Sequence, residues 1–272
     1  MFSKPKVIAE IGCNHKGDFE IAKELVSLAK RAGADVAKFQ KRNSIELLTR
    51  EQYNSPHPNP RNSYGSTYGE HREFLELNIN QHQLLKSFCE EIDIEYSTST
   101  WDVTSANQIV TMNPKFIKVP SAWNNNFEML EILRDQFKGI VHVSFGMTNR
   151  REEKQIIEFF EETGAAKDKL IIYSCTSGYP VPFDQVCLLE IKRLKESYSD
   201  RVKDIGFSGH HLGIAIDIAA YTLGANWIER HFTKDRTWKG TDHAASLEPS
   251  GLEKLTRNLN ATNMEKSKYM IN

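Results

Sequence analysis

The segment Trp227–Phe232 starts with apolar residues and then presents three ionisable ones, Glu229, Arg230 and His231. If the segment is a β-strand, its side chains alternate between two faces, so Glu229 and His231 lie on the same face. An acid and an imidazole side by side could bind a metal ion or transfer protons. Whether they do so depends on the residues that the rest of the chain brings to the same place.

Polar residues also follow most of the other segments that are rich in β-branched and aromatic residues. In chain order, these polar residues are Glu10, Lys38, Gln40, Ser99, Lys118, Ser121, Ser144, Ser177, Ser208 and His210. A lone lysine at such a position is usually solvated, and a lone histidine is usually structural. A large set of polar side chains at the ends of many strands instead favours one shared site.

The residue types in this set suit the binding of an anionic compound beside a divalent metal ion. Lysine ammonium groups and serine hydroxyls bind phosphate or carboxylate groups by charge-assisted hydrogen bonds. His210 and His231 belong to neighbouring predicted strands, and they could give two imidazole ligands to one ion. Glu10, Glu229 or Asp242 could complete or orient that set of ligands. The pattern indicates a metal-assisted reaction that joins an anionic phosphate compound to a carbonyl compound.

Strand-like and helix-like segments alternate along the whole chain. The predicted strands span 6–11, 35–40, 94–99, 116–119, 140–145, 170–175, 202–208 and 226–232, and helical patterns lie at 19–33, 103–112, 151–164, 212–224 and 250–261. Eight strands, each followed by a helix, favour a single (β/α)8 TIM barrel over residues 1–272. An open doubly wound sheet is the alternative, but no GxGxxG motif follows the first strand. In a barrel, the carboxyl ends of all strands meet at one rim, which would bring the polar residues together.

The composition is that of an ordinary globular protein, and it argues against several classes of partner. The chain has 272 residues, of which 39% are hydrophobic and 26% charged, and its formal net charge is −1. This charge gives no general attraction to nucleic acid or to an anionic membrane. No signal peptide or membrane span is visible, and four scattered cysteines without CxxC pairing indicate reduced thiols in the cytoplasm.

One irregular stretch, residues 43–73, follows the second predicted strand and contains NSPHPNPRNSYGSTYG. It would lie at the face of the barrel where active sites form. A loop of this length in a compact domain is usually either a lid or disordered. Its tyrosines, histidines and arginines favour a lid over the site.

Eight motifs along the chain resemble the sialic acid synthase family. They are AEIGCNHKG (9–17), VAKFQ (36–40), IKVPSA (117–122), HVSFGM (142–147), SCTSGYPVP (174–182), GFSGHHLG (206–213), GANWIERHFT (224–233) and GTDHAASLEP (240–249). The resemblance implies a (β/α)8 barrel that condenses phosphoenolpyruvate with N-acetylmannosamine or a related aldose. It implies a divalent metal ion, Mn²⁺ or alternatively Mg²⁺ or Co²⁺. It also implies a homo-oligomer, with a dimer expected.

Position by position, the resemblance implies three groups of site residues. The metal ligands would be His210 and His231. Glu10, Lys38, Gln40, Tyr179 and Asp242 would face the sugar aldehyde, and Ser99, Lys118, Ser121, Ser144, Ser177 and Ser208 would surround phosphoenolpyruvate. Lys38 and Lys118 would neutralise the charge of phosphoenolpyruvate. Either Glu10 or Asp242 would accept a proton from the water that adds to the intermediate, and the sequence does not choose between these two acids.

Two positions depart from the pattern of the resembled family. Residues 120–123 read Pro-Ser-Ala-Trp where the family often has Gly-Ser-Gly-Glu, and Ser177 stands where some members have asparagine. Many members also carry a small antifreeze-like module after the barrel, and we expect this chain to lack it because the sequence ends at Asn272. The departures at 120–123 and at Ser177 bear on the identity of the sugar more than on the reaction.

Two other interpretations remain open at this point. One is another metal-dependent barrel aldolase, or a synthase of seven- or eight-carbon keto acids. A covalent lysine aldolase is disfavoured, because Lys38 and Lys118 lie among polar residues and not in an apolar pocket. The other is a catalytically silent barrel that binds a sugar. Such a protein tends to lose a metal ligand or a lysine, and here all of them are present.

Overall fold

Eight parallel strands form a closed barrel in the computed structural model, which describes residues 4–266. The strands are β1 (Lys6–Gly12), β2 (Val36–Lys41), β3 (Glu95–Thr100), β4 (Phe116–Val119), β5 (Ile140–Ser144), β6 (Leu170–Cys175), β7 (Asp204–Gly209) and β8 (Trp227–His231). Each strand pairs in parallel with the next, and β1 pairs with β8 to close the barrel. The predicted (β/α)8 fold is confirmed.

Helices connect consecutive strands on the outside of the barrel. They are α1 (Phe19–Arg31), α2 (Ser44–Leu47), α3 (Arg50–Asn54), α4 (Tyr68–Leu75), α5 (Ile79–Glu91), α6 (Val103–Met112), α7 (Phe127–Asp135), α8 (Arg150–Glu161), α9 (Ala166–Lys169), α10 (Glu190–Tyr198), α11 (Ala215–Thr222) and α12 (Pro249–Lys266). Four of these helices, α2 to α5, lie in the connection between β2 and β3. Within residues 4–266, no helix combines the length and apolar composition that crossing a bilayer requires.

Alternation along β8 separates residues that face the helices from residues that face the barrel interior. Ile228 belongs to the main hydrophobic core, and Arg230 donates to Asp217 Oδ2 of α11 at 2.5 Å. Glu229 and His231 face inward, where both line a cavity at the barrel mouth. Glu229 and His231 therefore line the barrel mouth, whereas Arg230, between them in the sequence, binds α11 on the outside of the barrel.

The amino-terminal end of the barrel is closed by packed side chains. The ring of His142 stacks on Phe116 with centroids 3.9 Å apart, lies edge-on to Trp227 at 4.8 Å and shares a 2.8 Å hydrogen bond with the Tyr173 hydroxyl. Phe116 and Tyr173 belong to a small buried cluster that also contains Ile8, Val36 and Ile171. Because of this aromatic floor, the interior of the barrel opens at the carboxyl ends of the strands.

Most predicted boundaries differ from the observed ones by one or two residues. The strands 116–119 and 170–175 match β4 and β6, whereas the predicted strand 202–208 begins too early, since β7 starts at Asp204. The predicted helix 19–33 also runs too far. It ends at Arg31, with Ala32 as C-cap and Gly33 at a φ of 83° after it. Glycine adopts this left-handed conformation at low cost, which explains its position directly after a helix.

The stretch after β2 is more regular than predicted. The helices α2, α3 and α4 interrupt residues 43–73, and α3 and α4 each begin with a capping box, Thr49 with Gln52 and Thr67 with Glu70. In a capping box, the two side chains satisfy two free backbone N–H groups at the helix start. We call residues 43–75 the lid segment, and it is ordered into short helices rather than a long irregular loop.

Candidate active site

An inner cavity of about 190 Å³ lies at the carboxyl ends of the strands. Twelve of the thirteen site residues predicted from the sequence line it, namely Glu10, Lys38, Gln40, Ser99, Lys118, Ser121, Ser144, Ser177, Tyr179, Ser208, His210 and His231. The thirteenth, Asp242, lines a neighbouring outer cavity. The barrel therefore brings the predicted residues together, as expected for side chains at the ends of parallel strands.

Two lysines and two glutamates form a buried network at the base of the inner cavity. Lys118 Nζ lies 2.9 Å from Glu229 Oε1 and 3.0 Å from Oε2. Lys38 Nζ lies 3.6 Å from Glu229 and forms a short ion pair with Glu10. The four side chains are at most 8% exposed, so each charge depends on its partners for stabilisation in place of water.

The two glutamates of this network differ in how readily they take up a proton. Burial acts to raise the pKa of Glu229, but Lys118 and Lys38 outweigh it and hold this pKa well below its usual range. Burial raises the pKa of Glu10 above its ordinary value, against the opposing field of Lys38. Glu10 therefore takes up a proton more readily than Glu229, which acts as the counter-charge of the two lysines.

Serine hydroxyls extend the network around the inner cavity. Lys38 Nζ donates to Ser99 Oγ at 2.8 Å, and Ser208 Oγ donates to Glu229 at 2.9 Å. Ser121 Oγ accepts from the Gly146 N–H at 2.9 Å. A Cβ at Gly146 would lie 2.9 Å from the hydroxyl oxygens of Ser121 and Ser177, closer than real Cβ contacts allow. This glycine therefore lets two hydroxyls converge on the cavity.

His210 and His231 lie side by side at the mouth, with ring centroids 5.4 Å apart. His210 Nδ1 donates to the Thr176 carbonyl at 2.9 Å. Burial acts to lower the pKa of His210, but Cys175 and the Thr176 carbonyl outweigh it and raise this pKa above its ordinary value. Burial lowers the pKa of His231 to about 4, so its ring is neutral at neutral pH. Its Nδ1 is buried without a hydrogen-bond partner and lies 3.9 Å from Asp242 Oδ2. His231 is therefore ready to bind a metal ion through a free ring nitrogen, whereas His210 would give up a proton from Nε2 to do so.

These residues fit a metal ion that is held only in part by the protein. In the described part of the chain, no group of three or more histidine, cysteine, aspartate or glutamate side chains is arranged to enclose an ion. Two imidazoles leave several coordination positions for water and substrate oxygens. That arrangement suits an open, catalytic metal site and does not suit a closed structural one.

The outer cavity, of about 240 Å³, adjoins the inner one. Gln40, Trp101, Tyr179 and His231 line both cavities and mark the junction between them. At the junction, the Tyr179 ring lies 4.3 Å from His210 and 5.5 Å from His231, measured between centroids. A molecule in the outer cavity can therefore reach one in the inner cavity beside the two histidines.

The lid segment closes the far side of the outer cavity. Tyr64, His71 and Arg72 line it, as predicted for a lid. The Tyr64 hydroxyl donates to the Lys239 carbonyl at 2.5 Å, and its ring stacks on Phe74 at 5.0 Å. The lid segment is therefore ordered and fastened to the loop after β8, and its action as a lid stays a prediction.

Sequence patterns did not identify several residues that the structure places at the site. They are Trp101, Cys175, Arg42 and Lys239. The contacts of Glu229 were also not identified, since they are to Lys118 and Ser208 rather than to the two histidines. The alternation that places Glu229 beside His231 was a usable signal for its orientation. For Arg42 and Lys239, charge alone gives no local pattern that separates them from solvated surface residues.

The fold and this site together define a class: a (β/α)8 barrel with two buried lysines in its inner cavity and two histidines at its mouth. Comparison with known proteins agrees with it. Residues 25–269 match the NeuB family model, and the chain belongs to the NeuB family.

Named relatives cover nearly the whole chain. A human protein named N-acetylneuraminate-9-phosphate synthase is 38% identical over 253 residues, covering 93% of this chain and 68% of the relative. A Campylobacter jejuni protein named N,N'-diacetyllegionaminic acid synthase is 32% identical over 252 residues, covering 93% and 74%. Among solved structures, N-acetylneuraminic acid synthetase from Leptospira borgpetersenii, in complex with citrate, superposes with a TM-score of 0.85 at 28% identity, covering 99% and 87%.

Proposed function

We propose that the protein condenses phosphoenolpyruvate with an aldose to give a 2-keto-3-deoxy sugar acid and inorganic phosphate. The observation that carries this proposal is the pair of adjoining cavities, with His231 lining both of them and His210 beside it. A reaction that joins two substrates requires one site for each and a point where their reacting carbons meet. The relatives named as synthases of sialic and legionaminic acids support the same reaction class.

The inner cavity suits phosphoenolpyruvate. Lys38 and Lys118 line it, and they offer ammonium donors for phosphate and carboxylate oxygens. The surrounding hydroxyls supply further donors without adding charge. When the anion binds, it competes with Glu10 and Glu229 for these ammonium groups.

The aldose fits the outer cavity, with its aldehyde at the junction. Gln40 and Tyr179 line both cavities there, so they can bind the hydroxyl groups next to the aldehyde. His210 and His231 would hold a divalent ion, for which we propose Mn²⁺, with Mg²⁺ or Co²⁺ as alternatives. When bound, such an ion supplies Lewis acidity that polarises a carbonyl.

In the proposed reaction, C3 of phosphoenolpyruvate forms a bond to the aldehyde carbon, water adds at C2, and phosphate leaves by C–O cleavage. Lys38 and Lys118 hold the anionic groups in the inner cavity. Glu10 accepts the proton of the water, because it lines the inner cavity where C2 would lie, whereas Asp242 lines only the outer cavity. The raised pKa of Glu10 also makes it the better proton carrier of the two.

The phosphorylation state of the aldose, the number of subunits and the cellular location are further parts of the proposal. The product named for the human relative carries a phosphate, and the product named for the Campylobacter relative does not, so the state of the aldose is a separate question. A homodimer and a cytoplasmic location are expectations from the sequence and its family resemblance. Light scattering on the purified protein would measure the number of subunits.

The direct test measures phosphate release with phosphoenolpyruvate, Mn²⁺ and a panel of aldoses, together with the mass of each product. Six-carbon aldoses with and without an N-acyl group test the proposed reaction. Four- and five-carbon aldose phosphates test the alternative of a seven- or eight-carbon keto acid synthase. Release of phosphate with a product that contains all the carbons of both substrates supports the proposal. Absence of release with every aldose, in a folded and metal-loaded protein, would refute it.

A further inference from the structure

Arg42 is connected to Glu10, the proton acceptor of the proposed reaction, through one intermediate side chain, Gln40. Arg42 NH2 donates a short hydrogen bond to Gln40 Oε1, and Gln40 Nε2 donates to Glu10 Oε1 at 2.7 Å. All three residues are at most 8% exposed. Arg42 lines the outer cavity, Gln40 lines both cavities, and Glu10 lines the inner one. A chain of hydrogen bonds therefore runs from the outer cavity to the inner one.

The chemistry of the two neighbours determines how the Gln40 amide is oriented. A guanidinium has donors only, so it must face the amide oxygen, and a carboxylate has acceptors only, so it must face the NH2 group. The Cys13 thiol donates to the same amide oxygen, with Sγ 3.7 Å from Oε1. Burial raises the pKa of this thiol above its ordinary value, so the thiol keeps its proton. Both lone pairs of Gln40 Oε1 are thus occupied, and Gln40 offers the hydrogens of Nε2 to Glu10 and to a substrate.

Several contacts hold the Arg42 guanidinium in place. It lies over the Trp101 ring, 4.0 Å from the centroid. Its NH1 lies 2.9 Å from Cys13 Sγ and 3.6 Å from Glu76 Oε1, and the Arg42 backbone N–H donates to Glu76 Oε2 at 3.0 Å. The planar guanidinium is preorganised, so little freedom is lost for each hydrogen bond that it forms. Arg42 is therefore suited to fix the conformation of another side chain.

Gly12, at the end of β1, leaves room for the hydrogen bond between Gln40 and Glu10. It has a φ of 55°, in the left-handed region that favours glycine. A Cβ at this position would lie 3.0 Å from Gln40 Nε2 and 3.2 Å from Glu10 Oε1. The register between β1 and β2 also shifts between Glu10 and Gly12. Such irregularities next to active sites commonly re-aim a side chain, and here the side chain concerned is that of Glu10.

We propose that Arg42 is a positioning residue, which fixes the Gln40 amide so that Nε2 donates one hydrogen to Glu10 and presents the other at the junction of the two cavities. The inference rests on the proposed condensation, in which Glu10 accepts the proton of the water. Without Arg42, the amide can turn and place its oxygen against the Glu10 carboxylate. With Arg42, the atom of the aldose that meets Gln40 has to be a hydrogen-bond acceptor, such as a hydroxyl oxygen.

A double-mutant cycle tests whether Arg42 acts through Gln40. Arg42→Gln removes a charge-assisted hydrogen bond, so kcat should fall roughly ten- to hundredfold, while the KM for phosphoenolpyruvate stays nearly unchanged. In the Gln40→Ala background, the same substitution should lower kcat by less than about twofold, because the side chain that Arg42 positions is gone. Lys41→Gln is the matched control. Lys41 lies 3.4 Å from the same Glu76 carboxylate but lines neither cavity, so its replacement should leave kcat nearly unchanged.

Hydrogen exchange of the Gln40 side-chain amide separates failure of this inference from failure of the proposed reaction. In protein labelled with [15N]glutamine, the side-chain amide signal that is lost in Gln40→Ala belongs to Gln40. Its protons should exchange at least about tenfold faster in Arg42→Gln than in the wild type, because the bond that holds the amide is gone. Exchange in Lys41→Gln should match the wild type. This result supports the inference even in a protein that releases no phosphate.

The inference is overturned if the Gln40 amide exchanges equally fast in Arg42→Gln and the wild type, or if Lys41→Gln accelerates exchange as much as Arg42→Gln does. It is also overturned if the effects of Arg42→Gln and Gln40→Ala on kcat multiply. Should Arg42→Gln fail to fold, Arg42→Lys takes its place, since it keeps the charge but not the planar fork of donors. The same outcomes then decide.

Discussion

Lys118 and Glu229 face each other across the barrel interior, from β4 to β8, with both carboxylate oxygens within 3.0 Å of the ammonium nitrogen. The side chains are 2% and 8% exposed. A buried pair of this kind adds little net stability compared with apolar residues, but removing one partner leaves an uncompensated charge in the interior. The pair therefore connects the stability of the barrel to the residues of the inner cavity.

The first prediction follows from this pair. Glu229→Ala leaves Lys118 without its carboxylate, so the free energy of unfolding falls by about 3–5 kcal/mol. Urea unfolding of the wild type and the variant measures this difference in the free energy of unfolding. The control is Glu158→Ala, which breaks an exposed pair with Lys154 at 3.4 Å and costs less than about 1 kcal/mol. Similar losses in the two variants would show that the buried pair has no special role.

The second prediction concerns the proton carrier. If Glu10 is the base, activity falls as the pH drops through its pKa, which burial raises above the ordinary value of 4.5. If Asp242 is the base, activity falls only below pH 3.8, because the pKa of Asp242 is lowered from its ordinary value of 3.8. We expect the first result, with kcat lowered about 100- to 10,000-fold in Glu10→Gln. A pH profile measured for the wild type, Glu10→Gln and Asp242→Asn distinguishes the two acids.

The same shift has a consequence for stability. Because the folded pKa of Glu10 is raised, the protonated carboxyl contributes stability that is present below its unfolded pKa. That contribution is lost as the pH rises through the folded pKa. Glu10→Gln mimics the protonated form, so its free energy of unfolding lacks this dependence on pH. As the pH rises, the variant should therefore gain stability relative to the wild type.

The third prediction concerns the metal. Chelation abolishes activity, and adding Mn²⁺ restores it, because one imidazole alone holds a divalent ion weakly. Calorimetric titration with Mn²⁺ should detect a bound ion in the wild type and none in His231→Ala. His57→Gln is the control, a histidine of the lid segment that lines neither cavity. Full activity in protein shown to contain no metal would exclude the proposed ion.

The fourth prediction concerns the lid. Deleting residues 55–66 removes Tyr64 and its hydrogen bond to the Lys239 carbonyl. The KM for the aldose should rise at least about tenfold, while the KM for phosphoenolpyruvate changes little, because the lid borders the outer cavity only. A variant with normal thermal unfolding and unchanged aldose kinetics would show that the lid does not contribute to binding.

The barrel and most of the inner cavity were predictable because both follow from local periodicity. The two-residue alternation of β8 places Glu229 and His231 on one face, and the same rule operates on every strand. The partner of Glu229 was not predictable, because Lys118 lies across the barrel and no spacing in the sequence connects the two. The lid helices were missed although Thr49 with Gln52 and Thr67 with Glu70 fit the capping-box pattern. The many glycine, proline, serine and asparagine residues between Thr49 and Glu70 instead favoured a loop.

The aromatic floor formed around His142 has a kinetic consequence. Since packed side chains close the amino-terminal end of the barrel, substrates, water and products all use the carboxyl-terminal mouth for entry and exit. With phosphoenolpyruvate in the inner cavity as proposed, released inorganic phosphate would occupy the place of the next phosphoenolpyruvate, so it should inhibit competitively with that substrate. Turnover at high substrate concentration then depends on how fast the inner cavity empties and not only on how fast the new carbon–carbon bond forms.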